Sequence, residues 1–182
     1  MPIVAGDILI KLSTKSGSAG NSLAQADVNA SLGKYISTTE IVTATANNLF
    51  DNVSGAENAA STVDYRCIFV HNSHATLSLE NAGVYISSQV SGGTTLAIAI
   101  DDIAASAIGS SSAQAFEAAT ETTDPDAGVG AFSSPSSAGA ALSLGTIAAG
   151  SCKALWVRRT AANTVAVDDD GGTIVVFGDT AA

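Results

Sequence analysis

Cys67, His71 and His74 are the residues of this chain whose types most resemble a metal set. Their spacing, four positions from Cys67 to His71 and three more to His74, is not that of a zinc finger, and no second cysteine stands nearby. In an extended strand His71 lies about 13 Å from Cys67, too far to share an ion. The trio reads as a buried cysteine and two histidines at a strand end. Asp168-Asp169-Asp170-Gly171-Gly172 and Asp124-Pro125-Asp126-Ala127-Gly128 could offer oxygens to calcium. Neither has the alternating acids and distant Glu of an EF-hand loop. Asp beside Gly is also what a hairpin turn asks for, so both read as turns, and no metal or other cofactor is expected.

Catalytic patterns are scarce. The two histidines stand close together, no serine sits in a Gly-x-Ser-x-Gly elbow, and no Gly-rich loop precedes a Lys at the start of a helix. Asp101 and Asp102 are adjacent in a strand and point to opposite faces, the wrong geometry for shared acid and base work. The chain is therefore not expected to be an enzyme. Its most unusual local feature is Trp156-Val157-Arg158-Arg159, a basic run in an acidic sequence. One reading makes Arg158 and Arg159 contacts to an acidic partner, with Trp156 as interface anchor. The other makes Trp156 a core residue and the arginines its solvated or ion-paired neighbours.

These residues must be held by a chain of 182 residues, enough for one domain able to bury roughly 70% of its unfolded surface. Hydrophobic residues make up 46%, but much of that is alanine and only 5% is aromatic, so a thin core built on Val, Ile and Leu is expected. Such a core makes oligomerisation or docking a natural source of added stability. Net charge is −10, from 17 acids against 7 bases, which argues against nucleic acid and anionic membrane surfaces as partners. The N-terminus shows no basic stretch followed by an apolar one, so no export signal is expected, and the apolar run at 96–100 is too short to cross a bilayer. Cys67 and Cys152 both fall in strand-like runs and are expected as buried thiols rather than a disulfide.

Strand-like segments cover residues 8–12, 34–43, 65–70, 75–79, 83–90, 95–101, 142–147, 153–159, 163–167 and 173–177, many about ten residues apart with turn signals between. In 65–70, Tyr65, Cys67 and Phe69 share one face and Arg66, Ile68 and Val70 the other, so both faces should be covered. Residues 22–32 could form a weak helix, 113–120 a helical turn or a strand, and 47–57 a structured turn that tucks Leu49 and Phe50 inward. The expected fold is mostly β. It is an antiparallel β-sandwich, jelly-roll or Ig-like, in a single domain over 1–182 with long Gly/Ser/Ala-rich loops. Extended arms are expected at 13–32 and 120–140, the latter running over the surface.

Four segments carry a resemblance to virion structural proteins of tailed bacteriophages. They are Ser31-Leu32-Gly33-Lys34-Tyr35-Ile36-Ser37-Thr38-Thr39, Asn48-Leu49-Phe50-Asp51-Asn52-Val53-Ser54-Gly55, Tyr65-Arg66-Cys67-Ile68-Phe69-Val70-His71-Asn72 and Ala154-Leu155-Trp156-Val157-Arg158-Arg159-Thr160. The likeness runs from the first strand to Gly178-Asp179-Thr180. It implies a protein made in the host cytoplasm and assembled into the virion, most like a decoration or cement protein on the capsid exterior. The implied partner is the major capsid protein or another virion protein, bound by a homo-oligomer, a trimer being one arrangement. A tail or baseplate component is the nearest alternative. A calcium- or carbohydrate-binding β-sandwich module comes after it, with one Trp and three Tyr offering little for sugars to stack on.

Overall fold

Alternation in the central run is what organises the molecule. A computed structural model describes residues 2–17, 22–90, 92–162 and 171–180. β1 (Ile8–Thr14), β2 (Tyr35–Glu40), β3 (Val63–Asn72), β5 (Thr95–Ile100), β6 (Ser106–Ala107) and β8 (Ser151–Thr160) form one antiparallel sheet, ordered β2-β1-β3-β8-β5. The short β6 continues along β8 beyond the end of β5. β4 (Leu79–Ser88), β7 (Leu142–Ile147) and β9 (Thr173–Thr180) form a second antiparallel sheet, ordered β7-β4-β9. The protein is mostly β, and α1 (Gly55–Ala60) is the α-helix among the described residues.

β3 lies in the middle of the larger sheet and buries both faces. Ile68 and Val70 join Leu155, Val157, Leu96 and Ile98 in an apolar cluster with Val84, Ile86, Leu144 and Ile147 of the smaller sheet. Tyr65, Cys67 and Phe69 face the other way, with Cys152, Ala154 and Trp156, and there irregular chain covers them through Leu32, Ala115, Ala118 and Val129. This second interface explains the alanine content. Ala99, Ala115, Ala118 and Ala154 are essentially inaccessible, and their small side chains let loop backbone approach the sheet closely. Lys34 N–H donates to the Phe116 carbonyl, Ala118 N–H to the Leu32 carbonyl, and both Gln114 and Ala115 N–H to the Lys34 carbonyl. Residues 113–120 are thus neither a helical turn nor a named strand, but irregular chain that bends at 114–115 and 119–120 and is tied to 32–34 through an isolated bridge between Glu117 and Gly33.

Several expectations change. Residues 22–32 form no α-helix. They hold only a 3-10 turn, Val28–Ala30, capped by the Asp27 carboxylate on Asn29 N–H, and Leu23 lies beside β2, its carbonyl accepting from Thr38 N–H. Of the strand expected at 75–79 only Leu79 is in a ladder: 75–78 are turn and irregular chain, and Leu79 opens β4, which runs on through the segment expected at 83–90 as far as Ser88. Asn81 takes φ 49° and the ladder shifts register there, so the chain bulges instead of reversing. Within 120–140, residues 129–133 lie along the β5 edge, while the Glu121 and Pro135 carbonyls accept from Tyr65 N–H of β3 and Ile86 N–H of β4. Ile98 and Ser133 exchange both main-chain hydrogen bonds, Gly130 N–H donates to the Ile100 carbonyl, and the Tyr65 hydroxyl donates to Asp124 at 2.8 Å. The strand expected at 163–167 and the acidic turn at 168–170 lie outside the described residues, as does 18–21 within the first arm.

Gly33 is the tightest point of the loop layer. Its φ is +91°, and a Cβ there would stand 1.8 Å from the Phe116 carbonyl oxygen. Gly33→Ala should cost about 3 kcal/mol from backbone strain and overpacking together. Denaturant unfolding would show it as a lower midpoint at unchanged slope.

Candidate functional site

β5 ends at Ile100 and the chain turns off the sheet at Asp101, the first of the acid pair noted above. Asp101 is buried, and its carboxylate accepts from Ile103 N–H at 2.9 Å, Phe116 N–H at 2.8 Å and the Trp156 indole N–H at 2.9 Å. Lys153 Nζ donates to the main-chain carbonyls of Asp101 and Ile103 at 2.6 and 2.5 Å. Burial raises the Asp101 carboxyl against the pull of these donors, and burial lowers Lys153. The cluster ties residues 101–116 to β8. Trp156 is wholly inaccessible, so its reading as an interface anchor is corrected: it is a core residue with a satisfied indole.

Arg159 is likewise an internal residue. Its Nε and Nη2 donate to Asp64 Oδ2 at 3.3 and 2.7 Å, its Nη2 reaches Asp51 Oδ1 at 3.2 Å, and its Nη1 donates to the Asp51 carbonyl. Arg66, fully buried two positions from Asp64, donates to Glu121 at 2.7 Å, to the Tyr65 carbonyl at 3.0 Å and to Asn29, while its Nε has no partner. Both guanidinium groups stack near the Phe50 ring, 4.8 Å away for Arg159 and 5.1 Å for Arg66. Burial pushes Asp51 up, but hydrogen bonds from Asn29 and Arg159 outweigh it and hold the carboxyl below its ordinary value. The turn at 47–57 does tuck Leu49 and Phe50 inward, and its purpose is visible: it delivers Phe50 and Asp51 to two buried arginines. Ser54 and Glu57 close it with a capping box that starts α1, a Ser-x-x-Glu signal that sequence reading passed over.

Arg158 alone of the three singled-out residues reaches the surface. It points to the opposite face from Arg159 and lies 5.1 Å from the Phe132 ring, which meets Tyr65 edge-on. Burial, with Asp124 beside it, pushes the Tyr65 phenol up to about 12. Asp124 is thereby committed to Tyr65 and to Asp126 N–H.

The β3–β8 register sets Cys67 opposite Trp156 and Cys152 opposite His71. That four-residue offset is about 13 Å along the strands, beyond disulfide reach, and both thiols are free and buried. Burial pushes Cys152 up to about 12 and Cys67 well above its ordinary value, so neither is reactive. A reductant should leave the melting temperature unchanged. His74 is a turn cap whose Nδ1 accepts from Thr76 and Leu77 N–H. Among the described residues no three His, Cys, Asp or Glu side chains gather closely enough to hold a metal ion.

His71 is buried with Nδ1 unpartnered, and burial, aided by the Lys11 charge, lowers its pKa from 6.5 to about 4. Between those values the unfolded chain binds a proton that the folded chain refuses, so stability falls as pH drops through that window, by up to about 3 kcal/mol. His71→Leu should flatten the difference between pH 6.5 and 4 in a denaturant series. An unchanged slope would mean that His71 is not the group responsible.

Two surface grooves are also present among the described residues. One, of about 340 Å³, lies between residues 24–28 and the end of β2 and is floored by Leu12, Val28 and Ile41. The other, of about 300 Å³, is lined mostly by apolar residues and runs between the N-terminal segment with β1 and the strand β9. Compared with known proteins, the chain matches no protein family, no curated protein and no solved structure.

Proposed function

We propose that this chain is a structural component of a tailed-bacteriophage virion, a small homo-oligomer that binds the outer surface of the capsid and stabilises the shell. The observation that carries the reading is where the four phage-like segments lie. The Ser31 hydroxyl donates to the Cys67 carbonyl at 2.7 Å, joining the first segment to the third. The third and fourth pair as β3 and β8. Arg66 and Arg159, from those two strands, meet at Phe50 of the second. Segments far apart in sequence form one connected unit, which is what a shared scaffold requires and a chance likeness of strand-rich text does not.

In this reading the two sheets make an antiparallel β-sandwich, with the loop layer on its outer side. The compact body sits on the assembled lattice and contacts more than one major capsid protein subunit. Contacts present only in the assembled shell stabilise that shell by mass action. Mixing the purified protein with assembled shells and with unassembled capsid subunits tests this directly. Co-sedimentation with shells and not with subunits is the expected result, and Arg158→Ala tests the one partly exposed arginine of the basic run. Recovery of the protein with purified tails at fixed copy number, and none on capsids, replaces this reading with the tail or baseplate one.

A further inference from the structure

The two sheets differ in width, and the mismatch leaves one strand partly uncovered. β7 packs toward β5 and β8, so β9 lies on the β1 side, and the smaller sheet stops before it covers β1. Ile8 and Ile10 of β1, together with Ile174 and Val176 of β9, are consequently only partly buried and line the 300 Å³ groove. Val4 and Phe177 stand at its rim, 59% and 37% exposed. No ionisable side chain lines it.

Among the described residues no strand pairs with the outer edge of β9, which borders this groove. The β2 edge is covered by the bond from Thr38 N–H to the Leu23 carbonyl, and the β5 edge by Ser133. β7 is blunted by irregular register and by Gly145 at φ +73°. β9 pairs with β4 in regular register from Ile174 to Phe177, between shifts on either side, and contains no Lys or Pro; among the described residues its far side meets only the N-terminal segment, through Ile3 N–H donating to the Thr180 hydroxyl oxygen at 3.2 Å. Folded proteins normally blunt such an edge, because it is a template for another strand.

We propose that β9 is the contact between two copies of this chain, which pair edge to edge and antiparallel about a two-fold axis. Each β9 then serves as the fourth strand of the other copy's smaller sheet and closes over Ile8 and Ile10. Charge selects a second copy in this arrangement. Copies carrying −10 each repel, so they meet best through a surface with no ionisable lining. The one charge on β9, Asp179, is next to its end, so antiparallel pairing sets the two carboxylates at opposite ends of the ladder, whereas parallel pairing sets them side by side. A two-fold contact of this kind is self-complementary and closes on itself, which replaces the three-fold arrangement named as an option above. The inference deepens only the oligomer part of the proposed function. Loss of the pairing with shell binding intact removes this inference alone, and the converse removes the capsid reading alone.

Sedimentation of the full chain over a concentration series is the test, with Val175→Lys as the edge-blocking variant. Val175 is half-buried opposite Tyr85 on the outer face, so the lysine adds a charge without opening the core. The expected result is a reversible dimer whose dissociation constant rises at least about tenfold in the variant. Single cysteines at Val175, Phe177 and Asp179 keep the question answerable if the lysine variant does not fold, since both native cysteines are buried. A symmetric pair should cross-link best at one position near the axis and least at Asp179. A monomer at every concentration, a dimer indifferent to Val175→Lys, or cross-linking equal at all three positions overturns the proposal. A monomer whose β9 edge amides are nonetheless protected from hydrogen exchange would show that the chain covers its own edge.

Discussion

Arg159→Ala should destabilise the protein by about 3–5 kcal/mol, because it strands the Asp64 carboxylate, whose side chain is 2% exposed, without its partner. The same change removes the anchor of the 47–57 turn, which reaches Arg159 through Asp51 and Phe50. The cost comes from leaving a buried charge uncompensated, not from the worth of the pair. Replacing both partners together, Asp64→Val with Arg159→Met, should therefore recover most of the loss. Arg158→Ala, next in sequence, should cost no more than about 1 kcal/mol, since it gives up a partly exposed cation–π contact with Phe132. Equilibrium unfolding of the three variants separates these cases. Equal losses at 158 and 159 would contradict the burial of Arg159.

Trp156→Ala carries the other large expected effect, about 3–5 kcal/mol for emptying the space beneath residues 101–118. It also takes one donor from the buried Asp101. Trp156→Phe separates the two contributions, since it fills most of the volume while leaving the carboxylate short of a hydrogen bond, at about 1–2 kcal/mol. The readout is convenient. This is the only tryptophan in the chain, so the native protein should emit at short wavelength and shift red on unfolding. A red-shifted native emission would mean that the indole is not in the core.

How much of this was legible beforehand depends on the period of each segment. β3 was read correctly down to its two faces because alternation assigns side chains to faces without knowledge of the neighbours: Tyr65, Cys67 and Phe69 went to one cluster, Ile68 and Val70 to the other. The loop layer was not legible. Residues 101–118 owe their path to contacts at long range, such as Phe116 N–H on Asp101 and Ala118 N–H on the Leu32 carbonyl, and no local periodicity announces them. The bulge at Asn81 was mistaken for a turn because a polar residue at positive φ suits both. Trp156 and Arg159 looked like partner contacts for a related reason. A charged run flanking an aromatic is ambiguous until the strand pairing sets Asp64 opposite Arg159 and places Asp101 beside the indole. Sequence reading named both possibilities for these residues, and register decides between them.

The capsid reading is tested most directly by the melting and composition of purified particles made with and without this protein. Shells that carry it at fixed copy number and melt at a higher temperature than shells lacking it are the predicted result. Capsids that lack the protein, or that melt identically with and without it, would contradict the reading.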